Sequence, residues 1–351
     1  MEQQLIYSTD LCRDIDAWIS GQGKTYDRIF LLADEVTDRL CRPLLSGSRF
    51  LAEAVPVVIG ATDVHKTVDT LAEVWTQLSG GGASRHSLLV NLGGGMVTDL
   101  GGFAASTFKR GIDFVNIPTT LLSMVDAAVG GKTGINFNGL KNEIGVFQES
   151  RAVVIDTEFL RTLDAKNLVS GYAEMLKHSL LSDVDMWAQH MRFNPEYPDY
   201  EELQQMVADS IAVKQRIVAA DPHEKGLRKA LNLGHTAGHA FESLAMELGR
   251  PVLHGYAVAW GLVVELYLSV ELRKFPVDRM RQTVQFVFQH FGRFDFTCGQ
   301  YAELYDYMLH DKKNSGGVIN FTLLEDVGRI SLDCQADQCL LFEAFDFLRE
   351  G

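Results

Sequence analysis

The chain has 351 residues, a formal charge of −14, 46% hydrophobic residues and a mean hydropathy of zero. That balance excludes a protein that grips nucleic acid through a broadly basic surface, and it suits a soluble chain long enough for two domains of roughly 100–200 residues each. Five scattered cysteines without CxxC spacing argue for reduced thiols in a cytoplasm, against a disulfide framework or a thiolate zinc site.

The opening "MEQQLIYSTDL" has no charged region ahead of an apolar core, so no secretory leader is expected. Short apolar runs then alternate with helical patterns: "RIFLLAD", "AVPVVIG", "SLLVNLGGG", "FVNIPTT" and "RAVVIDT" each end in Gly, Asp or Thr. Such runs, separated by stretches like "VHKTVDTLAEVWTQL", predict βαβ units and a mostly parallel sheet. After about residue 160 the period becomes helical in "KNLVSGYAEMLKHSLL", "EELQQMVADSIAVKQRIVAA", "HGYAVAWGLVVELYLSVELR" and "VDRMRQTVQFVFQHFG". One hairpin-like stretch, "GGVINFTLLEDVGRISL", interrupts those helices. The expected fold class is therefore α/β followed by α, with an α/β domain over 1–160 and a mostly helical domain over 161–351. The longest apolar stretch, "YAVAWGLVVELYLSV", carries Glu265 at its middle and is too short for a clean membrane span.

Three strand ends of the first half carry nucleotide-site chemistry. In "LLVNLGGGMVTDLGGFAA", Gly94 and Gly95 let the backbone approach a phosphate at a helix N-terminus, with Asp99 one turn on. Thr119 and Thr120 end the next strand, and Asp34 ends "IFLLAD", where it suits ribose hydroxyls. The segment "VDAAVGGKTGINFNGLKNEIG" sets Asp126, Lys132, Lys141 and Asn142 among small residues. It reads either as a solvated loop or as a phosphate cradle, to which Arg110 of "KRGIDF" adds charge.

In the second half Arg228, Asn232, His235 and His239 stand at offsets of 0, 4, 7 and 11. On one α-helix that spacing makes a single polar stripe, within roughly a 60° arc. Gly234 and Gly238 beside it permit a neighbouring element to approach closely. His254 opens the next helical run, and Glu174 sits in an apolar segment with Lys177 three residues on. A Glu with two His is a common set for a catalytic metal. The spacing leaves open whether His235, His239 or both would be ligands.

In their order, "GGGMVTDLGGF", "RGIDFVNIPTTLLSMVDAAVGGKTGIN", "KNEIGVF", "FLRTL", "SGYAEMLKH", "LNLGHTAGHA", "HGYAVAWG" and "DKKNSGG" resemble the 3-dehydroquinate synthase family. The resemblance runs from about residue 30 to residue 325. It implies a Rossmann-like NAD-binding domain, a helical metal-binding domain, and a divalent zinc or cobalt held by Glu174, His235 and His254. It places NAD contacts on Asp34, Asp63, Lys66, Gly94, Gly95, Asp99, Thr119, Thr120, Lys132, Lys141, Phe159 and Thr162. It places catalytic work on Lys132, Lys177, Lys214, Arg228, Asn232 and His239, and further substrate contacts on Arg110, Asp126, Lys141, Asn142 and Lys312.

The implied reaction eliminates phosphate from 3-deoxy-D-arabino-heptulosonate 7-phosphate and closes the ring of 3-dehydroquinate, in the shikimate pathway to aromatic amino acids. The partners implied are this small anionic sugar phosphate and a second copy of the chain, not nucleic acid or a membrane. A sister sugar-phosphate cyclase and a metal-dependent polyol dehydrogenase of the glycerol dehydrogenase type are the rival readings. Tyr256 stands where the family commonly has Glu, Asn167 where Glu is common, Thr62-Asp63 in place of Gly-Glu, and "DAAVGG" in place of "DSSVGG".

Overall fold

The five apolar runs of the first half are strands, and a sixth that the sequence reading did not include, β1 (Gln4–Tyr7), precedes them. The computed structural model describes residues 3–138, 140–310 and 318–351. Strands β2 (Ile29–Asp34), β3 (Val55–Ile59), β4 (Leu88–Gly93), β5 (Asp113–Pro118) and β8 (Ala152–Ile155) join β1 in one parallel sheet. Its order is β1-β8-β5-β4-β2-β3. β4 and β8 are buried along their whole lengths, as expected of parallel strands covered on both faces.

Helices α1 (Leu11–Gly21), α2 (Glu35–Leu40), α3 (Val68–Gly80) and α4 (Gly95–Thr107) connect these strands. Leu71 and Val74 of α3 and Val97, Leu100 and Phe103 of α4 meet Phe30, Leu32, Val57 and Leu89 of the sheet in one apolar core.

The Gly/Ala-rich stretch at 125–145 is not a plain loop. After a π turn at Ser123–Ala127 it forms an antiparallel ribbon of β6 (Lys132–Phe137) and β7 (Leu140–Phe147). Ile135 of β6 is buried in the core beside α4, while β7 is exposed throughout. Alternation was masked in the sequence because glycines occupy paired positions, Gly134 opposite Gly145.

This first unit comprises Met1–Asp164 and Tyr200–Ile211, and the second comprises Ala165–Asp199 and Ala212–Gly351. The second contains α5 (Ala165–Leu180), α6 (Val184–His190), the latter part of α7 (Tyr200–Ala220), α8 (His235–Glu247) and α9 (His254–Arg273). It is completed by α10 (Val277–Phe291), α11 (Tyr301–Leu309), the hairpin of β9 (Phe321–Asp326) and β10 (Arg329–Cys334), and α12 (Gln338–Glu350). Among the described residues α9 is the one helix long and apolar enough to cross a membrane, yet 72% of its apolar window is buried inside the protein. It is a core helix, on which Phe241, Phe294, Phe296 and Phe345 add an aromatic cluster beside Trp260.

One expectation fails here. Arg228, Asn232, His235 and His239 do not share a helix: Leu227–Asn232 is a 3-10 turn, and α8 starts only at His235. Gly234 between them takes φ +78°, a left-handed conformation open to glycine, which ends one turn and caps the next. A period of 3.6 read across such a break has no geometric meaning.

Candidate functional site

In the first unit the predicted nucleotide residues gather at the carboxyl ends of the strands. Thr119 N–H donates to the Gly93 carbonyl at 3.0 Å, which ties the end of β5 to the end of β4. Gly94 is the N-cap of α4 and no side chain caps that helix, so its first turn offers N–H groups to an anion. A Cβ at Gly94 would stand 3.1 Å from Thr120 Cγ2, so glycine keeps the cradle open without displacing the threonine. Asp34 caps α2, its Oδ1 accepting from Val36 and Thr37 N–H at 2.9 Å. Phe159 is fully buried, and Thr162 hydrogen-bonds the Phe159 carbonyl at 2.7 Å.

Lys66 links these residues to the ribbon. Its buried ammonium lies 2.5 Å from Asp99 Oδ2 and also donates to Asn142 Oδ1. Asn142 N–H in turn donates to Asn136 Oδ1 at 2.9 Å, and Asn136 Nδ2 reaches Asp63 Oδ2 at 3.2 Å. Five residues from three separate stretches thus form one polar network. Asn136 was missed at the sequence level, although it closes the block "GGKTGIN". Asp126 lies in the π turn, Lys132 starts β6, and Lys141 is exposed on β7. Arg110 is exposed where Lys109, Arg110 and Gly111 all take positive φ.

In the second unit the metal-type residues converge. Glu174 of α5 is fully buried, and its Oε2 pairs with the equally buried Lys177 ammonium. Its Oε1 stands 3.4 Å from His235 Nε2 and 3.7 Å from His254 Nε2. One atom from each of these three residues lies within 4.8 Å of the others. Burial opposes the charge on Glu174, but Lys177 and His235 outweigh it and hold the carboxyl well below its usual range. Among the described residues that Oε1 has no hydrogen-bond donor of good geometry, so a divalent cation fits the set. His239 is a third imidazole, its ring centroid 5.5 Å from His235 and 6.0 Å from His254.

Around the triad, His235 Nδ1 faces the Leu233 carbonyl at 3.1 Å and His254 Nδ1 faces Glu242 Oε2 at 3.4 Å. Such outer partners orient ligand imidazoles. Burial disfavours the charged form of His254, yet Glu174 and Glu242 prevail and push its pKa up to about 9. Tyr256 turns to the aromatic side, edge-on to Phe291 at 5.4 Å, and the acid beside His254 comes from α8 instead. Glu242 was another residue that sequence reading missed.

Arg228 is buried and donates through Nη1 to the Pro222 carbonyl at 2.7 Å. Asn232 Nδ2 donates to Glu224 Oε1 at 3.1 Å, and Lys214 is buried on α7. Lys312 lies outside the described residues.

Models of the 3-dehydroquinate synthase N-terminal and C-terminal regions match residues 56–170 and 171–314. A 3-dehydroquinate synthase of Parabacteroides distasonis is 50% identical over 350 residues, covering 100% of this chain and 99% of that relative. The chain belongs to the 3-dehydroquinate synthase family. The 3-dehydroquinate synthase of Pyrococcus abyssi is 39% identical over 302 residues, 85% of each chain.

Among solved structures, a 2-deoxy-scyllo-inosose synthase complexed with carbaglucose-6-phosphate, NAD+ and Co2+ aligns at a TM-score of 0.83 and 21% identity, covering 99% and 96% of the two chains. The 2-epi-5-epi-valiolone synthase ValA of Streptomyces hygroscopicus, with NAD+ and Zn2+ bound, aligns at 0.80 and 23%, covering 100% and 97%. At these identities the likeness establishes the shared fold, a parallel α/β sheet with a helix-rich second region.

Proposed function

We propose that this chain is a cytoplasmic 3-dehydroquinate synthase, a phosphate-eliminating cyclase. It converts 3-deoxy-D-arabino-heptulosonate 7-phosphate to 3-dehydroquinate and phosphate by transient oxidation, elimination, reduction and intramolecular aldol closure. The observation that carries the reading is Glu174 Oε1, a buried carboxylate oxygen aimed at two imidazoles, in a chain of this family. Glu174, His235 and His254 would hold a zinc or cobalt ion, and Gly94, Gly95, Asp99, Lys66 and the strand-end threonines would hold NAD. When bound, these groups supply a Lewis acid for the reacting hydroxyl and a hydride acceptor that is regenerated each cycle.

The remaining residues bind and orient. Lys132, Asn142, Lys312 and Arg110 take the phosphate, and Lys214 and Arg228 take the carboxylate, so an acidic protein meets its anionic substrate through local cations. Asn232 and His239 orient ring hydroxyls, and Lys177 sets the charge beside the metal ligands. The active form is a homodimer, for which the exposed apolar side chains of β7 (Leu140, Ile144, Val146 and Phe147) supply a surface.

The test follows phosphate release from the seven-carbon substrate with and without NAD+, and after EDTA. Release that requires both, with no lasting NADH absorbance, is the expected result. Lasting NADH would indicate a dehydrogenase, and release only from a carboxylate-free sugar phosphate would indicate a sister cyclase.

A further inference from the structure

Glu265 lies midway along α9 with no solvent exposure, and nothing proposed above uses it. A buried carboxylate is costly unless hydrogen bonds or charges compensate it. Among its partners are three main-chain N–H groups at the start of α8. Gly234 donates to Oε2 at 2.6 Å, and Thr236 and Ala237 donate to Oε1 at 3.1 and 3.3 Å. The N-cap residue Gly234 has no side chain to do this. The neighbouring helix therefore supplies the anion that a helix N-terminus favours.

Two close approaches make the arrangement possible. A Cβ on Gly261, one turn ahead of Glu265, would run into the Gly234 carbonyl oxygen. A Cβ on Gly238 would stand 3.0 Å from the Ala257 carbonyl oxygen. The first turn of α8 thus lies against α9 backbone to backbone, which brings Glu265 onto the peptide ahead of His235.

Both ends of that peptide unit, between Leu233 and Gly234, are engaged. Its N–H points at Glu265 Oε2, and its carbonyl faces His235 Nδ1 at 3.1 Å. A carbonyl can only accept, so Nδ1 carries the proton. Nε2, facing Glu174 Oε1 at 3.4 Å, is then the lone-pair nitrogen. A carboxylate on the N–H side polarises the peptide, strengthens its carbonyl as an acceptor and draws on the Nδ1 proton.

We propose that Glu265 is a positioning residue of the metal site. Through one peptide group it holds His235 in the tautomer that presents Nε2, and it strengthens that nitrogen as a ligand. The inference rests on the metal site proposed above.

Glu265→Gln keeps the size of the side chain and removes its charge. Zn2+ dissociation constants of the wild type and the variant, measured by chelator competition, should differ by about tenfold or more, in the range seen when outer partners of ligands are altered. The d–d bands of the Co2+ form should shift with them. An unchanged Zn2+ constant with a lowered melting temperature of the metal-free protein would overturn the relay and leave Glu265 a helix cap.

Zn2+ binding by the wild type that is indifferent to His235→Ala would instead overturn the metal-site reading, and the relay with it. If Glu265→Gln does not fold, 15N-histidine NMR of Zn2+-loaded wild type decides. A proton on His235 Nδ1 supports the relay, and a proton on Nε2 overturns it.

Discussion

Glu242 Oε2 stands 3.4 Å from His254 Nδ1, which places one imidazole between two carboxylates, because His254 Nε2 stands 3.7 Å from Glu174. Glu242 thereby orients an imidazole of the proposed metal site that begins a helix and has no other acid beside it on α9, where Tyr256 packs on Phe291 instead. Glu242→Gln should weaken Zn2+ binding about 10- to 100-fold. Chelator competition measures this, and an unchanged constant would remove Glu242 from the site.

Glu174 and Lys177 are a buried ion pair three residues apart. Removing one partner leaves the other charge without its counter-ion in the core. Glu174→Leu should therefore cost about 3–5 kcal/mol in the metal-free protein, whereas Glu174→Leu with Lys177→Met should recover most of that loss. Urea unfolding of the two variants distinguishes this from a simple packing defect, for which the second substitution would add to the first.

His190 is wholly buried, its ring 5.3 Å from that of Tyr172, and neither ring nitrogen has a hydrogen-bond partner among the described residues. Burial alone lowers its pKa to about 3, from 6.5 in the unfolded chain. Between those values the unfolded state binds a proton that the folded state does not. Stability is therefore retained above pH 6.5 and lost as pH falls toward 3, by about 1.4 kcal/mol per pH unit from this group. Urea unfolding at pH 7 and pH 5 should show a shallower acid dependence for His190→Leu than for the wild type. Equal slopes would mean that His190 is protonated in the fold.

Lys66 bridges Asp99 of α4 and Asn142 of β7 from a buried position. Lys66→Met removes the ammonium that the helix and the ribbon share beside the Gly94 cradle. The NAD+ dissociation constant should rise about tenfold, a loss of about 1.4 kcal/mol. Titration calorimetry reads it directly, and an unchanged constant would reduce the network to a structural tie.

The parallel strands were legible because burial on both faces favours continuous apolar runs, and the strand-end positions of Asp34, Gly94, Gly95, Thr119 and Thr120 follow from that layout. Glu174 and His254 were legible as a polar group in an apolar helix and a histidine at a helix start. The β6–β7 ribbon was not, since paired glycines erase the alternation that marks strands.

The sequence by itself determined which chemistry is present: a Glu, three imidazoles, a glycine turn and lysines in small-residue surroundings. Only the tertiary structure decided how they are used. It broke the apparent stripe from Arg228 to His239 at Gly234, brought His235 and His254 from two helices onto Glu174 of a third, and placed Glu242 and Glu265 behind them. Periodicity reports the face of one continuous helix. Contacts made across a left-handed residue, or between helices whose glycines let backbones touch, depend on distances through space that no spacing along the chain encodes.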